Sequence, residues 1–590
     1  MKKYIKSIFS VSISFLLVGG FSSCDMDVTP TSETGAASYW KTDRDAWSAL
    51  NTVYNNLTPE MGVYDDTYTE DVYCQYPWES NGQIFLQDGL SAATGASWDF
   101  VGIRRANDFL ENVDKCTMDN DIRERMKAEA RFLRAINYLG KTLELGKVPI
   151  ITTVLNPDEQ NIERDPVDEV RKFILDELDA VSKILPNTYS GGYLKEKGRA
   201  TRYAALAYLS RAALLFGDYS LAESTAAQLM NGPFSLFKIA SLTPEQEKEA
   251  EEMELYIDFA AQGIDKDKFI KGMFSYETLW HTENATPDNS EYIFTRQYAE
   301  NQEDQENWIA YLTLRPNQLG GWSSATPTQN LVNTYWTVKG EAPTLLTVAE
   351  RKAAFEKINN EFLASGKSFV DFCAEKVANG TIKDYDFIKE VRNRDSRLYA
   401  SILIPFKGWF ETVQGGDNFY YRWWNENIPG NESLSGYNFR KMTPLDKSSS
   451  GDDNAVGDVP LFRFAEVLLI FAEARTHTTG YDSQVRAALN QLRDRSGMPD
   501  VPVSLTETEA IALIQNERRI EFAGEGIRAM DLTRYEDSYW QSALNGVSIT
   551  RPDGVILLNM KWSQRMRLRP LPQEALDRNP ILKDDQNPGY

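Results

Sequence analysis

RATRYAALAYLSRAALLF, residues 199–216, is the stretch whose reading decides the fold. It predicts an α-helix, and its small residues Ala204, Ala205, Ala207, Ala212 and Ala213 let another helix approach closely. Asp218-Tyr219 then opens a partner helix over 221–230. The same arrangement recurs as a helix over 462–475, a turn at Gly480 and a second helix over 483–493.

A helix, a short turn and a second helix are the unit of tetratricopeptide-type arrays, although no clean 34-residue period runs through this chain. Working outward, Ala46, Ala49, Leu50, Val53, Tyr54 and Leu57 share one helical face, and 103–113 and 123–145 return to helical spacing. The most apolar run, 459–474, carries Arg463, Glu466 and Glu473, so it reads as a buried helix of a water-soluble body rather than a membrane span. The acidic stretch 245–256 reads as a helix with a solvated face. Two regions break the pattern. Residues 60–97 form a long loop rich in Tyr, Asp and Gly, and 257–460 holds Trp280, Trp308, Trp322, Trp336, Trp409, Trp423 and Trp424 with little periodicity.

The N-terminus carries an address. Lys2, Lys3 and Lys6 precede an apolar run from 8 to 21, then Ser22, Ser23 and Cys24, the pattern of a secretory signal. A cysteine after two serines resembles a lipobox, which predicts cleavage before Cys24 and lipid on its thiol. Residues 1–23 are then a signal peptide and 24–38 a polar tether. Cleavage removes three lysines and takes the formal charge from −23 to −26, a surface that repels nucleic acid. Cys74, Cys116 and Cys373 give no disulfide framework, one pair being possible but not assignable, and with only His281 and His477, far apart in the chain, a His-based zinc centre or a Ser-His-Asp triad is hard to build. No cofactor is expected. Asp452, Asp453, Asn454 and Asp458 offer a calcium-like oxygen cluster, but without a terminal bidentate Glu a solvated loop is the favoured reading.

Several segments, in order, resemble the SusD/RagB family of nutrient-binding outer-membrane lipoproteins of Bacteroidetes. They are YWKT (39–42), ANDFL (106–110), AEARFLRAINY (128–138), GKVPI (146–150), VPLFRFAEVLLIFAEA (459–474), ERRIEF (517–522), EGIR (525–528) and the terminal QNPGY (586–590). The resemblance implies a mostly α fold, with four tetratricopeptide-like helix pairs as a scaffold on one side and irregular loops with small strands on the other. It divides the mature chain into an N-terminal helical region, 39–256, and a C-terminal region, 257–590, whose part 257–460 is loop-rich. It implies a protein that is not an enzyme. Such a protein captures an oligosaccharide, or in some members a peptide, and delivers it to a TonB-dependent, SusC-like transporter. Asp25 and Asp27 are similar to the acidic signal that sends such lipoproteins outward.

Sugar rings stack on rigid aromatic faces while polar neighbours take the hydroxyls. The candidate ligand residues are therefore Trp322, which follows Gly320-Gly321, Trp78 in PWESNG and Trp98 in ASWDF, with Tyr311, Arg315 and Asn81 as hydrogen-bonding partners. The competing reading for each tryptophan is core or rim packing. Arg463, Glu466 and Glu473, and the run Glu517, Arg518, Arg519 and Glu521, read as paired charges within helix packing rather than catalytic carboxylates. A surface glycoside hydrolase and a helical adaptor without a small ligand are the rival functions; no feature singles out the carboxylate pair a hydrolase needs.

Overall fold

The computed structural model describes residues 39–590 except 58–61, 157–158, 160, 190–197, 282, 299–313, 413–418, 425–429, 444 and 446–456. The principal helices are α1 (Asp43–Tyr54), α2 (Val101–Asn112), α3 (Asn120–Leu145), α4 (Val167–Ser182), α5 (Arg202–Phe216), α6 (Tyr219–Met230), α7 (Lys266–Thr278), α8 (Val348–Ser365), α9 (Phe464–Thr478), α10 (Ser483–Arg495), α11 (Glu507–Glu521) and α12 (Ile527–Arg534). Their boundaries are chemically marked. Thr42 and Asp45 form a capping box on α1, Asp119 caps α3, and Thr201 caps α5. Gly217, in the left-handed region at φ 82, ends α5, and Asp218 caps α6 one residue later.

Each helix from α1 to α6 packs on the next, α6 then packs against α9, and α9 against α10 and α11. The two helix pairs expected from sequence are therefore neighbours in one stack, although well over two hundred residues separate them in the chain. Ala204, Ala205, Ala207, Ala212 and Ala213 are all fully buried, as close helix approach requires. One core runs through this stack, a second fills the loop-rich body around α7 and α8, and a third, smaller one lies around Phe85, Trp540 and Leu558.

The strands are short: β1 (Val72–Cys74), β2 (Tyr292–Arg296), β3 (Ala325–Pro327), β4 (Ile402–Leu403), β5 (Asn438–Phe439), β6 (Val459–Arg463), β7 (Ser548–Thr550) and β8 (Ile556–Asn559). They pair antiparallel as β1–β3, β2–β6, β4–β5 and β7–β8. Two expectations are corrected here. Residues 459–463 are strand rather than the start of a helix, because Pro460 disfavours helical backbone at Val459 and lacks the amide a helix interior uses. The acidic helix Pro244–Glu252 is solvated on one side only: Glu245, Glu247 and Glu251 are exposed, whereas Glu249 is fully buried and Gln246, Glu252 and Ala250 are nearly so. Glu249 is turned inward because Arg440 (2.5 Å) and Lys407 (2.5 Å) neutralise it there.

The charged residues of the apolar helices are ion-paired, but to distant segments rather than along their own helix. Glu466 binds Arg211 at 2.6 Å, Arg518 binds Asp531 at 2.7 Å, and Glu517 binds Arg493 at 2.6 Å and Arg397 at 3.0 Å. Glu521 meets Arg463 at 2.7 Å, Arg495 at 2.5 Å and Arg397 at 3.2 Å, all with side chains almost wholly out of water. Burial opposes ionisation of Glu521, yet Arg495, Arg463 and Arg397 together hold its carboxyl far below the usual range. This network joins α10 and α11 to the loop-rich body. Removing one partner from such a cluster leaves an uncompensated buried charge, at a cost of about 3–5 kcal/mol.

Candidate aromatic binding platform

The β1–β3 ladder, with Val72 opposite Pro327, Tyr73 opposite Thr326 and Cys74 opposite Ala325, determines what the following loops can reach. Because the strands run antiparallel, the chain leaving β1 at residue 75 lies beside the chain entering β3 at residue 324. The Gln75 amide extends the ladder by one bond, donating to the Ser324 carbonyl at 2.9 Å. The loop 75–81 and the turn 315–324 are thus side by side, although some 240 residues separate them in the chain.

On this pair of loops sit Trp78, 78% exposed, and Trp322, 39% exposed; no other tryptophan among the described residues is exposed to this degree. The ring of Tyr76 stacks on Trp78 with centroids 4.9 Å apart and planes 24° from parallel. The Tyr76 hydroxyl donates to Asn431 Oδ1 at 2.6 Å and lies 3.4 Å from the Trp322 carbonyl. That carbonyl also accepts from Gln75 Nε2 at 3.0 Å, while Gln75 Oε1 accepts from the Leu434 amide at 3.2 Å. Glu79 braces the loops from behind, accepting from the Tyr64 hydroxyl at 2.8 Å and from Ser324 Oγ at 3.2 Å.

The turn carrying Trp322 is tightly specified. Gly320 has φ 86, and a Cβ on Gly321 would stand 2.5 Å from the Arg315 carbonyl carbon and closer still to its oxygen. Ser323 and Asn431 also lie in the left-handed region, at φ 50 and φ 59. Non-glycine residues adopt it at a cost that surrounding structure must offset, and such positions gather at functional sites. The arrangement presents flat apolar faces in water, held by a rigid backbone and ringed by amides and hydroxyls.

Of the residues proposed from sequence, the structure brings Trp78 and Trp322 together. Asn81 is half-buried just before the short helix Gly82–Leu86, three residues beyond Trp78. Arg315 is 3% exposed beneath the turn, its carbonyl accepting from the Ser323 amide at 3.2 Å, so its guanidinium is not offered to a ligand on the surface. Trp98 lies elsewhere. It precedes α2, meets Phe100 edge-on at 5.1 Å and lines a separate cleft of about 770 Å3 with Leu155, Pro572 and Arg578. Cys24 and Tyr311 lie outside the described residues, as do Asp452, Asp453 and Asn454. Asp458 is buried rather than part of a solvated loop; its carboxyl accepts from the Tyr298 amide at 3.2 Å and burial pushes its pKa up to about 7. Sequence reasoning missed Tyr76, Gln75 and Asn431. The first two shortly precede Trp78 in the chain, but only the β1–β3 pairing shows that they meet Trp322.

Among the described residues there is one cluster of ligand-type groups. One oxygen each of Glu277 and Glu411 and one nitrogen of His281 lie within 4.8 Å of one another. Glu277 is already engaged by Arg440 and by Trp409 Nε1 at 3.1 Å. Burial, together with the Glu277 carboxylate, pushes Glu411 up to about 9, so it carries a proton at neutral pH. Cys74, Cys116 and Cys373 are buried free thiols. No described helix is long and apolar enough to cross a membrane.

The SusD family model matches residues 290–590, and a second, described as starch-binding associating with outer membrane, matches residues 35–214. The chain belongs to the SusD family. SusD-like protein P2 of Formosa agariphila is 23% identical, with all of both chains covered. The starch-binding protein SusD of Bacteroides thetaiotaomicron is 22% identical over 93% of this chain and 95% of that protein. A crystallised SusD-like protein of Bacteroides fragilis superposes with a TM-score of 0.71 at 23% identity, over 95% of this chain and 100% of that one. The SusD fold, a helical scaffold carrying a loop-rich body with small strands, is therefore the fold of this chain.

Proposed function

We propose that this chain is a lipid-anchored outer-membrane protein that captures an oligosaccharide on the Tyr76–Trp78–Trp322 platform. It then passes the sugar to a partner TonB-dependent, SusC-like transporter without altering it chemically. The observation that carries the reading is the pair of exposed indoles from two distant loops, braced by hydrogen bonds. Stacking of a pyranose C–H face on such surfaces gives affinity at little entropic cost, because the rings are already held. A relative bearing the name starch-binding protein SusD supports a carbohydrate ligand, and the second family description supports outer-membrane association. The lipobox-like Ser22-Ser23-Cys24 supports anchoring. The absence of chemistry is supported by the fate of the clustered acids: Glu249, Glu277, Glu517 and Glu521 are buried and ion-paired, out of reach of a glycosidic bond.

Calorimetry against a panel of oligosaccharides, with Trp322→Ala and Trp78→Ala beside the wild type, tests this. A ligand bound by the wild type and weakened tenfold or more by either substitution, with unchanged circular dichroism, supports capture on the platform. Steady release of reducing ends, abolished by one carboxylate substitution, would replace capture with hydrolysis. Binding of peptides and of no sugar would change the ligand class.

A further inference from the structure

We infer that the platform selects neutral glycans and disfavours chains bearing uronate or sulfate groups; this rests on the glycan-capture reading above. The three segments that build it, residues 72–86, 314–328 and 430–439, contain a single cation, Arg315, and that residue is buried beneath the Trp322 turn. The same segments contain Glu79 and Glu432. Glu79 sits immediately behind Trp78, within hydrogen-bonding distance of Ser324, and Glu432 follows Asn431, which takes the Tyr76 hydroxyl. The next cations along the chain are Arg440 and Lys441, buried in ion pairs with Glu249 and Glu277 and with Glu525, and Arg422, whose amide donates to Gln318. Its guanidinium lies against the rings of Phe362, Phe369 and Trp424 at 5.0–5.4 Å. In sequence, residues 297–313, which lead into the Trp322 turn, hold four acidic residues and no lysine or arginine.

Recognition of carboxylate or sulfate calls for an arginine fork or a lysine placed against the anion. Among the described residues the platform offers instead amides, hydroxyls and two carboxylates, on a chain already strongly acidic. An anionic sugar set on Trp78 or Trp322 would be brought towards like charge without a counter-charge. A neutral sugar meets only stacking surfaces and hydrogen-bonding groups. The repulsion acts through solvent and weakens with salt.

The test is calorimetry in EDTA with length-matched oligosaccharides: neutral glucans, xylans, mannans and galactans beside uronate-containing and sulfated chains. The expected result is binding of at least one neutral chain, with every anionic counterpart at least tenfold weaker. That gap should narrow in 0.5 M NaCl and in the Glu79→Gln/Glu432→Gln variant. An anionic chain bound as tightly as its neutral counterpart overturns the inference and leaves glycan capture standing. A gap that neither salt nor the double substitution narrows also overturns it, because charge would not be its origin. Failure of every saccharide to bind overturns the glycan reading, and this inference with it.

Discussion

Gly321→Ala isolates the geometry of the platform from its chemistry, because it leaves every aromatic ring in place. The added methyl would stand 2.5 Å from both the carbonyl carbon and the Cβ of Arg315. Ordinary carbon contacts need about 3.5 Å or more, so the turn or the segment under it must move by roughly 1 Å. Neither neighbour is free to do so. Arg315 is buried, and its carbonyl holds the Ser323 amide, while the Trp322 carbonyl is held by Gln75. The strain belongs with overpacking, about 1–3 kcal/mol. Melting temperature is a poor reporter of it: at about 2.1 cal/mol/K of unfolding entropy per residue, a chain of this length shifts by only roughly 1 °C per kcal/mol. Affinity is the sensitive readout, since a displacement of that size removes an indole from a sugar face, and each 1.4 kcal/mol lost is about tenfold in Kd. The expected outcome is a loss of tenfold or more in calorimetric affinity, near that of Trp322→Ala, with a melting point within a few degrees of wild type. Gly140→Ala, where the methyl meets nothing within 4 Å, is the control and should bind as wild type does. Wild-type affinity for Gly321→Ala, with Trp322→Ala impaired, would refute the claim that this turn positions the indole.

Ala205→Leu, at a fully buried position of α5, should lower the urea midpoint through overpacking of about 1–3 kcal/mol, whereas Gly140→Ala on the exposed face of α3 should not; equal shifts would undo the helix-stack assignment. Glu411 is held protonated to about pH 9 in the fold against 4.5 for an ordinary Glu. The stability its proton contributes is complete below pH 4.5 and is lost as pH rises towards 9. Glu411→Gln, which mimics the protonated form, should therefore gain in melting temperature over wild type between pH 5 and pH 8.5; a constant difference would contradict the buried proton. Cys24→Ala should yield protein that no longer incorporates palmitate or fractionates with the outer membrane, and continued labelling would exclude lipid on Cys24.

The helical scaffold was legible because it is written in local terms. Three- and four-residue spacing of apolar side chains, alanines at contact positions and a helix-opening Asp218 are properties of contiguous chain, and they placed α5, α6, α9 and α10 close to where they lie. The residues 459–463 were misread for the same reason: an apolar run carries no sign of whether it extends a helix or pairs with a strand far away in the chain, as Val459 does with Arg296, 163 residues before it. Composition pointed to the loops that carry Trp322 and Trp78, yet it could not separate these exposed rings from Trp98, or foresee that Arg315 is buried. Whether a side chain faces water depends on what covers it, and that is settled by chain far away in sequence: β3 beside β1 for the platform, the Pro572 segment beside Trp98, and the turn of Gly321 over Arg315. Charge behaved likewise. Glu249 looks solvent-facing in a row of acids and is buried because Arg440 and Lys407, more than 150 residues on, supply its counter-charge. The sequence by itself determined the helical scaffold and the residue types from which a sugar platform could be made. The tertiary structure alone decided which of them share a surface, because burial and charge compensation are set by non-local neighbours.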